Sequence, residues 1–199
     1  MMTDIGLTGN IASGKSMVSS ILRELGAAVL DADLVGKSIL ANNTAGALDK
    51  VRRTFGDQVF RERQLDRRAL ANLVFDRPDL LLKLNSIMIP IMTDLIIKEM
   101  ERLRQTSDVV VLDAAILIEA GWQNLVDEVW VVRASRDEQL ARLMTRDHLS
   151  PEEAASRIDA QMPLEQKLAY ADVIIDNTRD LDKTRRQVES LWKTCFQNR

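Results

Sequence analysis

Gly9-Asn10-Ile11-Ala12-Ser13-Gly14-Lys15-Ser16 is the stretch on which the fold turns. It fits G-x-x-x-x-G-K-[ST], and a chance match in a chain this long is on the order of one per cent. Apolar Ile5-Gly6-Leu7-Thr8 precedes it, and an amphipathic pattern with Val18, Ile21, Leu22 and Leu25 follows. That is the strand–loop–helix order of a phosphate-binding loop. Two glycines permit a tight turn whose backbone N–H groups face a phosphate chain. Lys15 can reach the outer phosphates, Ser16 can ligate Mg²⁺, and the following helix adds its positive end. The motif therefore predicts a nucleoside triphosphate held by Gly9, Asn10, Ile11, Ala12, Ser13, Gly14, Lys15 and Ser16, with Met17 adjoining.

Outward from the loop, short apolar runs alternate with helical patterns. Ile5–Thr8, Ala28–Leu30, Val109–Leu112, Val129–Val132 and Val173–Ile175 read as buried strands. Helices are expected at about 15–25, 136–146 and 182–192, which makes a parallel sheet with helices on both faces. The gap between the second and third strands is too long for one crossover. It holds helical patterns after Thr44, after Asp66, and from about Pro78 to Arg104, where Pro90 should kink or break the run. An α/β core at 1–33 and 108–199 thus carries a helical insertion at 34–107. Ser150-Pro151-Glu152-Glu153 adds a helix start with N-cap, proline and capping box, and a further start is expected near Met162-Pro163.

Composition bounds the partners. The chain has 199 residues, 46% apolar and 29% charged, enough for a sizeable core and against disorder. A net charge of −3 argues against a generic nucleic-acid binder. Cys195 is the single cysteine, so neither an internal disulfide nor a Cys/His metal cluster is expected. No secretory leader is visible, and no apolar stretch approaches the roughly 18 residues of a spanning helix, so no membrane partner is expected. The expectation is a soluble cytoplasmic protein. Residues 34–107 hold 13 basic and 9 acidic side chains, a net of +4, while the remainder nets −7. A basic middle suits a phosphorylated small molecule, and a solvated helical surface is the alternative.

Further candidates lie at strand ends, where α/β sheets place their sites. In Asp31-Ala32-Asp33 both carboxylates share a side if the strand persists, and one could hold an acceptor hydroxyl and take its proton. Asp33 as a helix N-cap is the alternative. Asp113 could help hold Mg²⁺ or be a turn residue. Arg136, Arg142, Arg146 and Arg157 follow the fourth strand, and Arg142 and Arg146 share a helix face, as cations over a moving phosphoryl group would. His148 and the three tryptophans, Trp122, Trp130 and Trp192, read as surface and packing residues respectively. Asn177-Thr178-Arg179-Asp180 is similar to the guanine-reading N-K-x-D of GTPases. Its lysine is missing, however, and Asp113-Ala114-Ala115-Ile116 lacks the glycine of D-x-x-G.

Taken together, the residues resemble the dephospho-CoA kinase family over nearly the whole chain. The resemblance is carried by Gly6-Leu7-Thr8-Gly9 entering the loop, Asp31-Ala32-Asp33, Leu65-Asp66-Arg67-Arg68-Ala69-Leu70 with Phe75, and Leu112-Asp113 through Glu119. It is most specific in Arg142, Arg146-Asp147, Ser150, Glu153-Ala154, Arg157-Ile158, Gln161, Lys167, Ala171-Asp172 and Asp176-Asn177. It implies a P-loop NTPase fold of nucleoside-monophosphate-kinase type: a five-stranded parallel sheet, a helical CoA-binding insertion, and a lid at about 136–161. The implied reaction moves the γ-phosphoryl of ATP, with Mg²⁺, to the ribose 3′-hydroxyl of dephospho-CoA, the last step of coenzyme A synthesis. Asp33 matches the family's catalytic aspartate, Arg142 and Arg146 its lid arginines, and Asn177 the segment lining adenine. The chain departs from the family at Ile89-Pro90 (usually His before Pro), at Ala115 (usually Pro), at Asn10 and Ala12 (commonly Gly), and at Met17. A monomer or weak homo-oligomer is expected. Another small-molecule P-loop kinase, or a nucleotide-binding switch, is the alternative function.

Overall fold

Thr3–Gly9, buried at every residue, forms β1 at the centre of a five-stranded parallel sheet. The computed structural model describes residues 2–62, 64–75, 77–178 and 180–197. Numbered along the chain, the elements are β1, α1 (Lys15–Glu24), β2 (Ala28–Asp31), α2 (Ala32–Ala41), α3 (Ala47–Phe55), β3 (Phe60–Arg61), β4 (Gln64–Leu65), α4 (Arg67–Phe75) and α5 (Pro78–Leu103). There follow β5 (Val109–Asp113), β6 (Glu128–Arg133), α6 (Arg136–Asp147), α7 (Pro151–Asp159), α8 (Leu164–Leu168), β7 (Val173–Asp176) and α9 (Leu181–Trp192). The strand order is β2-β5-β1-β6-β7, every neighbouring pair parallel. β1 lies between the chain-distant β5 and β6, so the crevice beyond its C-terminal end is the switch point where α/β sheets bind ligands.

Ile5, Leu7, Val111, Trp130, Val132 and Ile175 from the sheet pack with Val18, Ile21 and Leu22 of α1 and Val188 and Trp192 of α9. Each such side chain, fully buried, contributes about 1.5–3 kcal/mol. Trp122 and Trp130 are buried packing residues, as expected, and His148 is exposed at the C-terminal end of α6 with φ 54°.

The chain divides into two units, Met1–Asp31 with Met100–Arg199, and Ala32–Glu99. Within the second, Val51, Phe55, Val59, Leu70 and Val74 form a cluster joined by Leu80, Leu84 and Ile87 of α5. It also contains an antiparallel pair, β3 with β4, that the sequence reading did not anticipate.

Three expectations need correction. Pro90 does not end its helix: α5 runs unbroken for 26 residues. Pro90 is exposed while Met88, Ile91 and Met92 are buried, so packing on the opposite side outweighs the lost backbone bond. That continuity joins two apolar halves, so α5 contains an 18-residue window of mean hydropathy 1.7, long and apolar enough to cross a membrane by length and composition alone. The Asp-x-Asp alternation also fails. The strand ends at Asp31 and α2 starts at Ala32, which puts Asp33 in the first helical turn, exposed, rather than on a strand face or at an N-cap.

Candidate active site

The two glycines of the loop answer to different constraints. A Cβ on Gly9 would lie 2.5 Å from the Val132 carbonyl oxygen and 2.7 Å from Ser13 Oγ, so β6 admits nothing larger. Gly14 has φ 92°, and the Asn177 amide occupies the place of its absent Cβ. Ala12, one of the departures from the family pattern, has φ 60°. A left-handed alanine costs roughly 1–2 kcal/mol, and that strain is held at the bend of the loop.

Side chains from outside the loop hold its carbonyls in turn. Gln139 Nε2 donates to Ile11 O at 2.9 Å, Arg142 Nη1 to Ala12 O at 3.1 Å, and Asn177 Nδ2 to Ser13 O at 2.7 Å. Gln161 Oε1 accepts from the Ile11 N–H at 2.6 Å, Asn10 Nδ2 donates to Met162 O at 3.1 Å, and the Ser13 N–H donates to Asn10 O at 3.0 Å. Gln139 and Arg142 are three apart on α6 and face the same way. Their helix is set by a capping box at Ser135, and α7 by the expected one at Ser150. Leu143, Ala154 and Ile158 close a small core against Ile11 and Ala12, so the expected lid segment is seated on the loop.

Lys15 pairs with Asp113, and both side chains are largely buried, 15% and 7% exposed. Register explains the meeting: Asp113 lies opposite Leu7 of β1 and opposite Asp31 of β2. Ser16 is exposed at the start of α1. Mg²⁺ takes few protein oxygens and keeps waters and phosphates as its other ligands. One hydroxyl at Ser16 and one carboxylate at Asp113 fit that habit. No group of three or more His, Cys, Asp or Glu fit to hold a metal occurs among the described residues.

Arg142 therefore meets the loop, whereas Arg146 does not. Arg146 donates to Asp147 from Nε at 2.8 Å and Nη2 at 2.9 Å, and its side chain is 60% exposed. The hydrogen bonds from Arg146, aided by Arg157, hold the Asp147 carboxyl below its usual range, and the same pairing raises the Arg146 guanidinium. Asn177 is 2% exposed and its side chain is committed within the protein, Oδ1 accepting from Thr184 Oγ1 at 3.0 Å. Its carbonyl accepts from Arg142 Nη2 at 2.9 Å. Arg179, part of the GTPase-like tetrapeptide, lies outside the described residues, as does the side chain of Phe75.

Beside the loop, a cavity of about 300 Å³ is lined by Asn10, Gln139, Gln161 and the Arg136–Asp159 pair. Its guanidinium is tied to a carboxylate at 2.6 and 2.9 Å, which makes it a poor anion site. Sequence reasoning missed Gln139 and Thr184 as contributors, because neither stands in a motif. It quoted Lys167 without a role. Lys167 is fully buried, its Nζ donating to Ala115 O at 2.6 Å and pairing with Glu119 at 2.9 Å. It pins the segment that follows Asp113.

The comparisons agree with this geometry. The family model described as dephospho-CoA kinase matches residues 3–183. A dephospho-CoA kinase of Carboxydothermus hydrogenoformans is 47% identical over 194 residues, 95% of this chain and 94% of its own. Among solved structures, a Thermus thermophilus protein is 35% identical with TM-score 0.80 and 98% of each chain covered. A dephospho-CoA kinase from Campylobacter jejuni is 25% identical with TM-score 0.62 and 97% of each covered.

Proposed function

The chain belongs to the dephospho-CoA kinase family, and from that premise we propose how its own residues carry out the family's reaction. It is a P-loop kinase that transfers the γ-phosphoryl group of ATP to the ribose 3′-hydroxyl of dephospho-CoA, giving coenzyme A and ADP. The observation that carries the assignment of roles is the loop itself, with Lys15 inside it and a lid arginine, Arg142, bonded to its backbone.

In the proposed mechanism the N–H groups of the loop and the Lys15 ammonium bind the β- and γ-phosphates. Asp113 holds Lys15 until the nucleotide competes for it. Ser16, with Asp113, would hold Mg²⁺, which when bound neutralises charge on the phosphate oxygens. Asp33 hydrogen-bonds the acceptor 3′-hydroxyl and takes its proton as the oxygen bonds to phosphorus and the bond to ADP breaks. Arg142 and Arg146 stabilise the transferring group, Arg146 by leaving Asp147. Residues 34–107, with their basic surplus, are assigned the acceptor. Met17 and Asn177 complete the nucleotide side. The same reading makes the protein a cytoplasmic monomer or weak homo-oligomer whose partners are small molecules, neither nucleic acid nor membrane.

The test is ADP release with and without dephospho-CoA, with the product weighed by mass spectrometry. Acceptor-stimulated release and a product heavier by one phosphoryl group are expected. Release indifferent to acceptor would mark a slow NTPase switch, and stimulation by a different alcohol another small-molecule kinase.

A further inference from the structure

A phosphate-binding loop works only if its N–H groups point inward, and glycines usually make that arrangement easy. Here Asn10 and Ala12 stand in the loop, and Ala12 is strained. Something else must therefore hold the peptide planes. Three consecutive carbonyls, those of Ile11, Ala12 and Ser13, each accept a hydrogen bond from a side chain outside the loop: Gln139, Arg142 and Asn177. A trans peptide holds its N–H opposite its C=O. Pulling these carbonyls outward thus turns the N–H groups of Ala12, Ser13 and Gly14 the other way. The Ser13 N–H is taken by Asn10 O. Those of Ala12 and Gly14 have no acceptor among the described residues.

We infer that Gln139 and Asn177 are positioning residues for nucleotide binding: they brace the loop from outside so that the Ala12 and Gly14 N–H groups face the triphosphate. The inference deepens the function proposed above and rests on it for the identity of the ligand. Asn177 acts on the phosphates through Ser13, and its side chain does not read the base. Both halves of its amide are engaged, Nδ2 by Ser13 O at 2.7 Å and Oδ1 by Thr184 Oγ1 at 3.0 Å, and this pairing fixes which way the amide points. Thr184, fully buried on α9, is the orienting partner. Gln139 is 6% exposed and does the same for Ile11 from the lid helix. Because Arg142 bonds both Ala12 O and Asn177 O, lid, loop and the turn after β7 form one hydrogen-bonded unit.

The experiment measures dissociation constants of ATP, GTP and inorganic tripolyphosphate for the full chain and for Asn177→Ala, Gln139→Ala and Thr184→Val. KM, kcat and thermal melting are recorded beside them. A buried carbonyl left without its donor costs affinity of about tenfold. The expected result is a loss of that size in Asn177→Ala and Gln139→Ala, equal for all three ligands, with the ATP-to-GTP ratio unchanged and kcat at saturation largely kept. A changed ratio with tripolyphosphate unaffected would make Asn177 a base reader and overturn the inference. Unchanged affinities in folded variants would reduce the bonds to plain stability and overturn it too. Should Asn177→Ala fail to fold, Thr184→Val decides by the same criterion, with a smaller uniform loss of about threefold expected. None of the binding measurements involves the acceptor. Failure of the full chain to respond to dephospho-CoA would therefore sink the function while leaving the brace to stand or fall separately.

Discussion

Lys15 is held in a largely buried pair with Asp113, so its replacement removes both the proposed phosphate ligand and the partner of a buried carboxylate. Lys15→Ala should weaken ATP binding and nearly abolish transfer, measured by calorimetry and single-turnover assay. Full activity would show that the loop is not the working site. Asp33→Asn separates chemistry from binding, because it keeps the shape and removes the carboxylate proposed as the base. General-base catalysis contributes roughly 10²–10⁴-fold, and a kcat loss in that range with ATP affinity unchanged is expected. Asp33 stands in the first turn of α2 rather than at its cap, so asparagine there gives up a favourable interaction with the helix dipole, about 0.3–1 kcal/mol, and a melting curve separates that loss from the rate. Wild-type speed in the saturated variant would remove Asp33 from the chemistry. Ala12→Gly relieves φ 60° and should stabilise the protein by about 1 kcal/mol in urea unfolding. A destabilised Ala12→Gly would show that the alanine methyl, packed against the Leu143 cluster, outweighs the strain.

At the scale of the element, α6 carries two arginines with different environments. Arg142 is bonded to the loop, and Arg146 is bonded to its neighbour Asp147. Arg146→Ala should lower kcat by two to three orders of magnitude, as loss of one charge-stabilising donor does, with the KM for ATP little changed. An unaltered kcat would make the Arg146–Asp147 pair purely structural. The pair also has a pH signature. The folded Asp147 carboxyl lies below its usual value because of Arg146, so whatever it adds to lid stability is present above the unfolded pKa and lost as pH falls through the depressed one. Acid loosening of the lid segment should thus set in as pH falls below the ordinary carboxylate value, and this pH dependence should be largely lost in Arg146→Ala, where the carboxyl is no longer held down by its main partner. The strand-ending motif taught a different lesson. Helix propensity at Ala32 and beyond overtook the alternation expected of Asp31 and Asp33, and nothing local distinguishes a strand that stops from one that persists.

For the whole molecule, Lys167 ties α8 to the segment after β5 from a site 48 residues distant in sequence. Lys167→Met leaves the Ala115 carbonyl without its donor and the partly exposed Glu119 without its partner, and should cost roughly 1–3 kcal/mol, with a smaller loss in the double variant carrying Glu119→Leu. Equal losses in the two variants would mean that the pair adds nothing beyond packing. The phosphate-loop motif, the apolar strand runs and the capping box at Ser150 were legible in the chain, because each depends on neighbours within a few residues. Family resemblance marked Gln161 and Lys167 without saying what they touch, and put Asn177 in the segment lining adenine. Tertiary structure alone decided that Gln139, Arg142 and Asn177 hold three successive loop carbonyls, that Lys15 meets Asp113, and that α5 survives Pro90. Those facts depend on peptide planes and side chains brought together across 98 to 164 residues, and on burial around a proline, and no local pattern encodes either.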